Sequence, residues 1–101
     1  MKKFRTLELA HSLYEETVEL KFKKVHFQDQ YDRALLSIVL NLSEGSGRRT
    51  AKDRRRFYFM SYSSLKEVQT ILRLNRIDKF DSKFDTLAAH LYQLTKNPGG
   101  H

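Results

Sequence analysis

From Phe4 to Thr95 the chain contains no proline, and its only glycines are Gly45 and Gly47. Proline and glycine are the strongest interrupters of regular structure, so this stretch is committed to helices on either side of Glu44-Gly45-Ser46-Gly47. β-Branched residues are sparse and no alternation of apolar and polar residues persists, which argues against a sheet. A length of 101 residues supports one domain with a modest core.

Apolar spacing divides the chain into four segments. In the first, from Phe4 to about Lys24, Leu7, His11, Tyr14, Val18 and Phe22 fall on adjoining turns, and Ala10, Leu13, Thr17 and Leu20 widen the stripe. Residues 25–30 keep no helical period and are expected to turn the chain. Asp29 is placed to cap a second helix through Tyr31, Ala34, Leu35, Ile38, Val39 and Leu42. Gly45 and Gly47 are expected to break that helix, because glycine accepts the positive φ common at helix C-termini. The third helix is predicted over about Ala51–Asn75, started by Thr50 or Ser46. Its inward residues are Phe57, Met60 or Ser61, Ser64, Leu65, Val68, Ile71, Leu72 and Asn75. Tyr58 and Tyr62 then share another, more exposed face. A shorter fourth helix, beginning at Asp78 or Asp81, carries Phe84, Leu87, Ala88, Leu91 and Leu94. Short connections between such segments predict an all-α, antiparallel up-and-down four-helix bundle over residues 1–96, with 97–101 as a flexible tail. The run from Ala34 to Leu40 is apolar almost all round. A helix of that kind is buried on most sides, and one layer of neighbours in so small a bundle leaves part of it uncovered, so a homo-oligomer is expected.

Nineteen Lys and Arg against twelve Asp and Glu give a formal charge of +7. Most of it lies between residues 48 and 56, where Arg48, Arg49, Lys52, Arg54, Arg55 and Arg56 stand with Asp53 as the one acid. Such a cluster suits the phosphates of RNA or DNA, with salt-dependent affinity and little reading of base sequence. It equally suits an acidic protein partner, or solubility alone. Arg33, Asn41 and Glu44 interrupt the apolar second helix; buried polar groups need partners, so with Glu67 they are expected to form a structural polar network.

Several chemistries are left without a basis. The absence of cysteine removes disulfides, thiolate metal ligands and thiol catalysis. No two of His11, His26, His90 and His101 stand three or four residues apart, and Glu8-Leu9-Ala10-His11 supplies a di-iron Glu-x-x-His spacing only once. Gly45-Ser46-Gly47 follows a helix and lacks the third glycine of a dinucleotide motif. No metal, cofactor or enzymatic activity is therefore expected. No stretch approaches eighteen apolar residues, so no membrane span is expected either, and a cytoplasmic location is the economical reading.

Around the break the sequence resembles a known signature. Arg33-Ala34, Ser37-Ile38, Asn41, Glu44-Gly45 and Gly47-Arg48 are similar to the motif of the bacterial four-helix-bundle proteins encoded within intervening sequences of 23S ribosomal RNA genes. The similarity continues through Phe57, Ser64-Leu65 and Glu67 and is compatible with Phe4, Leu7, Ala10 and Tyr14, covering roughly residues 4–95. Ser61 and Ser63-Ser64 depart from the alanine and glycine-serine pair usual in the third helix, and the extra atoms at Ser63 are expected to widen a helix contact. The resemblance implies a closed ring oligomer, typically a pentamer, with no established enzymatic role. It also implies kinship with the accessory proteins of diversity-generating retroelements, whose positive surface engages a reverse transcriptase and nucleic acid. These expectations frame a non-enzymatic accessory factor that binds RNA or DNA, with a protein–protein scaffold as the alternative.

Overall fold

The apolar stripes close into four helices in the computed structural model, which describes residues 4–99: α1 (Arg5–Thr17), α2 (Val25–Ser46), α3 (Ala51–Leu74) and α4 (Asp81–Lys96). Among the described residues there is no strand. Each helix packs beside the next in sequence, and α1 closes the circuit against α4. The α2–α3 register is antiparallel, since Arg33 meets Glu67, Ser37 meets Ser64, and Ile38 meets Ser61. Arg55 with Thr95 and Gln69 with Asp85 give α3 and α4 the same relation. The chain is thus an all-α bundle of the up-and-down kind. Leu13, Leu35, Ile38, Leu42, Leu65, Val68, Leu72, Phe84, Leu87 and Leu91 fill its centre. Full burial of such a side chain contributes roughly 1.5–3 kcal/mol, so these helices are held by packing rather than by their own propensity.

The first turn of the chain lies earlier than its periodicity suggests. α1 ends at Thr17, and α2 starts at Val25 with no side-chain cap, so residues 25–30 are helical and Asp29 does not begin the helix. Leu20 and Phe22 keep helical spacing because they are plugs: Phe22 stacks on Tyr31 with ring centroids 4.8 Å apart, and both pack against the core from the loop. Gln28 fixes that loop by accepting from the Phe22 amide and donating to the Leu20 carbonyl. Thr17 and Tyr31, both fully buried, complete the corner: the Tyr31 hydroxyl donates to the Thr17 carbonyl over 2.9 Å. Burial pushes the Tyr31 phenol up to about 12, the Thr17 hydrogen bond acting in the opposite sense.

Gly45 is also corrected. It lies inside the last turn of α2, and Gly47 caps the helix with φ −92°, so neither glycine adopts a positive φ. A Cβ at Gly45 would lie 2.8 Å from Cε1 of Tyr58 and 3.0 Å from Cβ of Phe57. Glycine is needed there for space between helices, and the break falls at Gly47. In α3 Ser61, Ser64, Leu65, Val68, Ile71 and Leu72 face inward as expected, but the stripe opens one residue later than expected: Tyr58 is fully buried, whereas Phe57 is only half-buried. Tyr58, Ser61, Leu65, Val68 and Leu72 repeat at intervals of three and four, and this set faces inward. Asn75 caps α3 and donates to the Ile71 carbonyl instead of entering the core.

Candidate nucleic-acid interface

The up-and-down path brings the start of α1, the end of α2, the start of α3 and the end of α4 to one end of the bundle. Phe4 confirms the placement, its ring 6.1 Å from that of Tyr58. Arg5 and Lys96, distant in sequence from the cluster at 48–56, therefore join it. Around this end stand eight basic residues, Arg5, Arg48, Arg49, Lys52, Arg54, Arg55, Arg56 and Lys96, against Glu8, Glu44 and Asp53.

The six clustered cations have different tasks. Thr50 opens α3 by accepting from the Asp53 amide at 3.1 Å, the capping half of the spacing seen in the sequence. Arg54, on the inward side of that first turn, donates Nε to the Pro98 carbonyl at 2.9 Å and Nη1 to the carbonyls of Arg48 and Arg49 at 3.1 and 3.0 Å. Arg55 donates Nε to the Thr95 carbonyl at 2.9 Å. Both cations thus serve carbonyls at the C-terminal end of α4, where the helix dipole favours positive charge. Pro98, expected in a loose tail, is buried beneath this clamp, while residues 100 and 101 lie outside the described residues. Tyr58 lies under the same turn: burial raises its pKa, and the Arg54 charge partly opposes the shift.

Arg48 and Arg56 both lie over the Phe57 ring, at 4.7 and 4.6 Å from its centroid. Each also meets a carboxylate, Arg48 with Glu44 at 2.8 Å and Arg56 with Asp53 at 3.9 Å. The ring holds two guanidinium groups at the surface, which explains why Phe57 stays at the edge of the core. Arg49 and Lys52 are exposed and make no ion pair among the described residues. Spacing alone placed all six in one patch; the long-range carbonyl partners of Arg54 and Arg55 leave no local sequence signal.

The expected polar network resolves into separate pairs. Arg33 meets Glu67 at 3.6 Å and also donates to Gln30, and Glu44 serves Arg48; these groups are exposed. Asn41 instead joins a small cluster between α2 and α3. It donates to the Ser37 hydroxyl at 2.9 Å, and Ser64 donates to the same oxygen at 2.8 Å. Ser61, fully buried, donates to the Ile38 carbonyl at 2.7 Å. Sequence reading passed over Ser37 and Ser61 as network members; their signal is a serine on the inward stripe facing another helix. Ser63 is exposed, so its extra atoms widen no contact within the bundle.

Among the described residues no three His, Asp or Glu are grouped to hold a metal ion, and no helix is long and apolar enough to cross a membrane. Fold and surface define a small four-helix bundle whose net charge is concentrated at one end. The chain belongs to the 23S rRNA-intervening sequence protein family, whose profile matches residues 3–97. No curated protein and no solved structure matches it.

Proposed function

We propose that this chain is a non-enzymatic, cytoplasmic accessory protein that binds nucleic acid through the basic end of its bundle. The observation that supports this reading most is topological: four helix termini converge, adding Arg5 and Lys96 to the cluster at 48–56. A surface of this sign attracts phosphate and releases counterions on binding, so affinity should fall steeply with salt. Arg48, Arg49, Lys52 and Arg56 are its outward contacts, and Arg54 holds the platform from which they project, helped by Nε of the otherwise exposed Arg55. Fluorescence anisotropy with structured RNA, single-stranded RNA and duplex DNA across a salt series tests the proposal. Replacing Arg48, Arg49 and Lys52 together by Ser should abolish most binding while leaving the helical circular dichroism unchanged. Salt-insensitive binding, or equal binding by the variant, would overturn it.

A second reading, self-association, is favoured by one further surface. Leu36 and Leu40 lie a turn apart on α2 and are 43% and 57% exposed, and Met60 on α3 is 37% exposed. Arg33 and Glu67 mark the facing edges of the two helices, so these three apolar residues occupy one outward flank. We assign it to contact between copies in a closed ring, five-membered on the family resemblance. A ring would repeat each basic end around one rim and multiply a weak contact. Sedimentation equilibrium should give a mass several times the monomer, reduced to the monomer by Leu40→Glu; a wild-type monomer would refute the ring.

A further inference from the structure

A stripe of cations and aromatic rings runs along α3 outside the buried core, with only Tyr62 packed against it. Lys52, Arg55, Phe59, Tyr62 and Lys66 follow one another at intervals of three and four residues, which places them on one face of the helix. From Lys52 to Lys66 this face is about 21 Å long at 1.5 Å per residue. The neighbouring helix continues it. Tyr92 of α4 packs beside Tyr62, with ring centroids 6.0 Å apart and planes tilted by 47°. Lys96 Nζ sits 4.9 Å over Tyr92, and Lys66 Nζ sits 5.4 Å over Tyr62. Phe59 is 53% exposed and Tyr92 45% exposed, so both rings are open to solvent beside these cations. Arg55 spends only its Nε on the Thr95 carbonyl.

The acids of α3 are directed elsewhere. Asp53 pairs with Arg56 and Glu67 pairs with Arg33 of α2, both on the flank toward α2. Asp85, hydrogen-bonded to Gln69, lies beyond Lys66 and bounds the stripe at its far end. Four cations and three rings thus share a flank without a carboxylate among them.

We infer that this flank of α3 and α4 is a track for single-stranded nucleic acid, with bases stacking on Phe59 and Tyr92 and phosphates held by Lys52, Arg55, Lys66 and Lys96. The inference rests on the nucleic-acid reading above and specifies the form of the ligand. A duplex keeps its bases stacked inside and offers the rings nothing, whereas an unpaired strand presents a π-face beside each phosphate. An acidic peptide would answer the cations but leave the rings exposed. Tyr62, half-buried, acts as a positioning residue that supports Tyr92.

The test compares two labelled probes of equal length, an unstructured single-stranded RNA and an abasic strand with the same number of phosphates, against the full chain at fixed salt. The wild type should bind the base-containing strand about a hundredfold more tightly. Phe59→Ser with Tyr92→Ser should remove that preference, about tenfold for each ring, without changing the salt slope. Both rings are at the surface, and an unchanged thermal midpoint confirms that the fold survives; Tyr92→Phe, which keeps the stack, should bind as the wild type does. Lys52, Lys66 and Lys96 changed to Ser should instead flatten the salt slope for both probes. If abasic and base-containing strands bind equally, and the Lys52, Lys66 and Lys96 variant keeps the wild-type salt slope, the track is refuted while the basic end stands. If neither probe binds in a salt-dependent way, both proposals fall.

Discussion

The two ends of α3 use their residues in opposite ways. At its N-terminal end the turn from α2 holds both internal glycines, and neither has a positive φ. At its C-terminal end the turn into α4 contains no glycine, yet Arg76 takes φ 58°. There the Ile77 amide reaches back to the Leu72 carbonyl at 2.9 Å and the Arg76 amide to Arg73 at 3.0 Å, the pattern of a Schellman closure with arginine in glycine's customary place. Gly45 serves close packing, while the left-handed backbone conformation is borne by a residue with a Cβ. The N-terminal end is consequently crowded, and the C-terminal end is shaped by a local compromise.

Enlarging position 45 attacks the crowded end most directly. Gly45→Val places methyl groups inside the contact with the buried Tyr58 ring and should cost about 1–3 kcal/mol, read as a lower denaturation midpoint. Gly47→Ala is its control: the nearest atom to a new Cβ is 3.7 Å away, so stability should be unchanged or rise by about 0.4–1 kcal/mol.

Alkaline pH probes the same end through Tyr58 and the corner through Tyr31. Both phenols are neutral in the fold with raised pKa values, so their contribution is complete below the ordinary tyrosine value of 10.0. It is lost as pH rises from 10.0 through the folded value of Tyr31, about 12, because the unfolded chain ionises first. Unfolding midpoints should drop over that interval, and Tyr31→Phe should flatten the fall.

Removing the clamp comes next in size. Arg54→Ala leaves the carbonyls of Pro98, Arg48 and Arg49 without their charged donor, a loss of about 1–2 kcal/mol. Hydrogen exchange should increase first in the last turn of α4. At the other end, Arg76→Gly relieves the left-handed backbone and should stabilise by up to about 1 kcal/mol in thermal unfolding. A loss of stability there would show that the Arg76 side chain contributes more than its backbone costs.

Helix number, order and the inward residues of α4 were legible because the apolar period persists where breakers are absent. Where reading failed, two physical demands shared one signal. Leu20 and Phe22 continue the period of α1 although they reach the core from a loop. Adjacent aromatics at 57 and 58 can each open the inward stripe of α3, and the space left by Gly45 is what admits the Tyr58 ring. The basic cluster was visible as composition, but its division into Arg54 and Arg55, turned toward carbonyls, and Arg49 and Lys52, turned outward, depends on where α4 ends. The spacing of Lys52, Phe59 and Lys66 is written in the sequence, whereas the arrival of Tyr92 and Lys96 beside them is a property of the fold.

The contact between Gly45 and Tyr58 also constrains how this chain can drift through evolution. Neither position can change freely: a smaller residue at 58 relieves two of the three closest approaches to a side chain at 45, and a smaller ring at 58 leaves a hole that an alanine at 45 begins to fill. Related sequences should therefore vary these two sites as a pair, trading volume across the helix crossing, so that a lineage leaving the glycine behind must pass through a compensating double substitution.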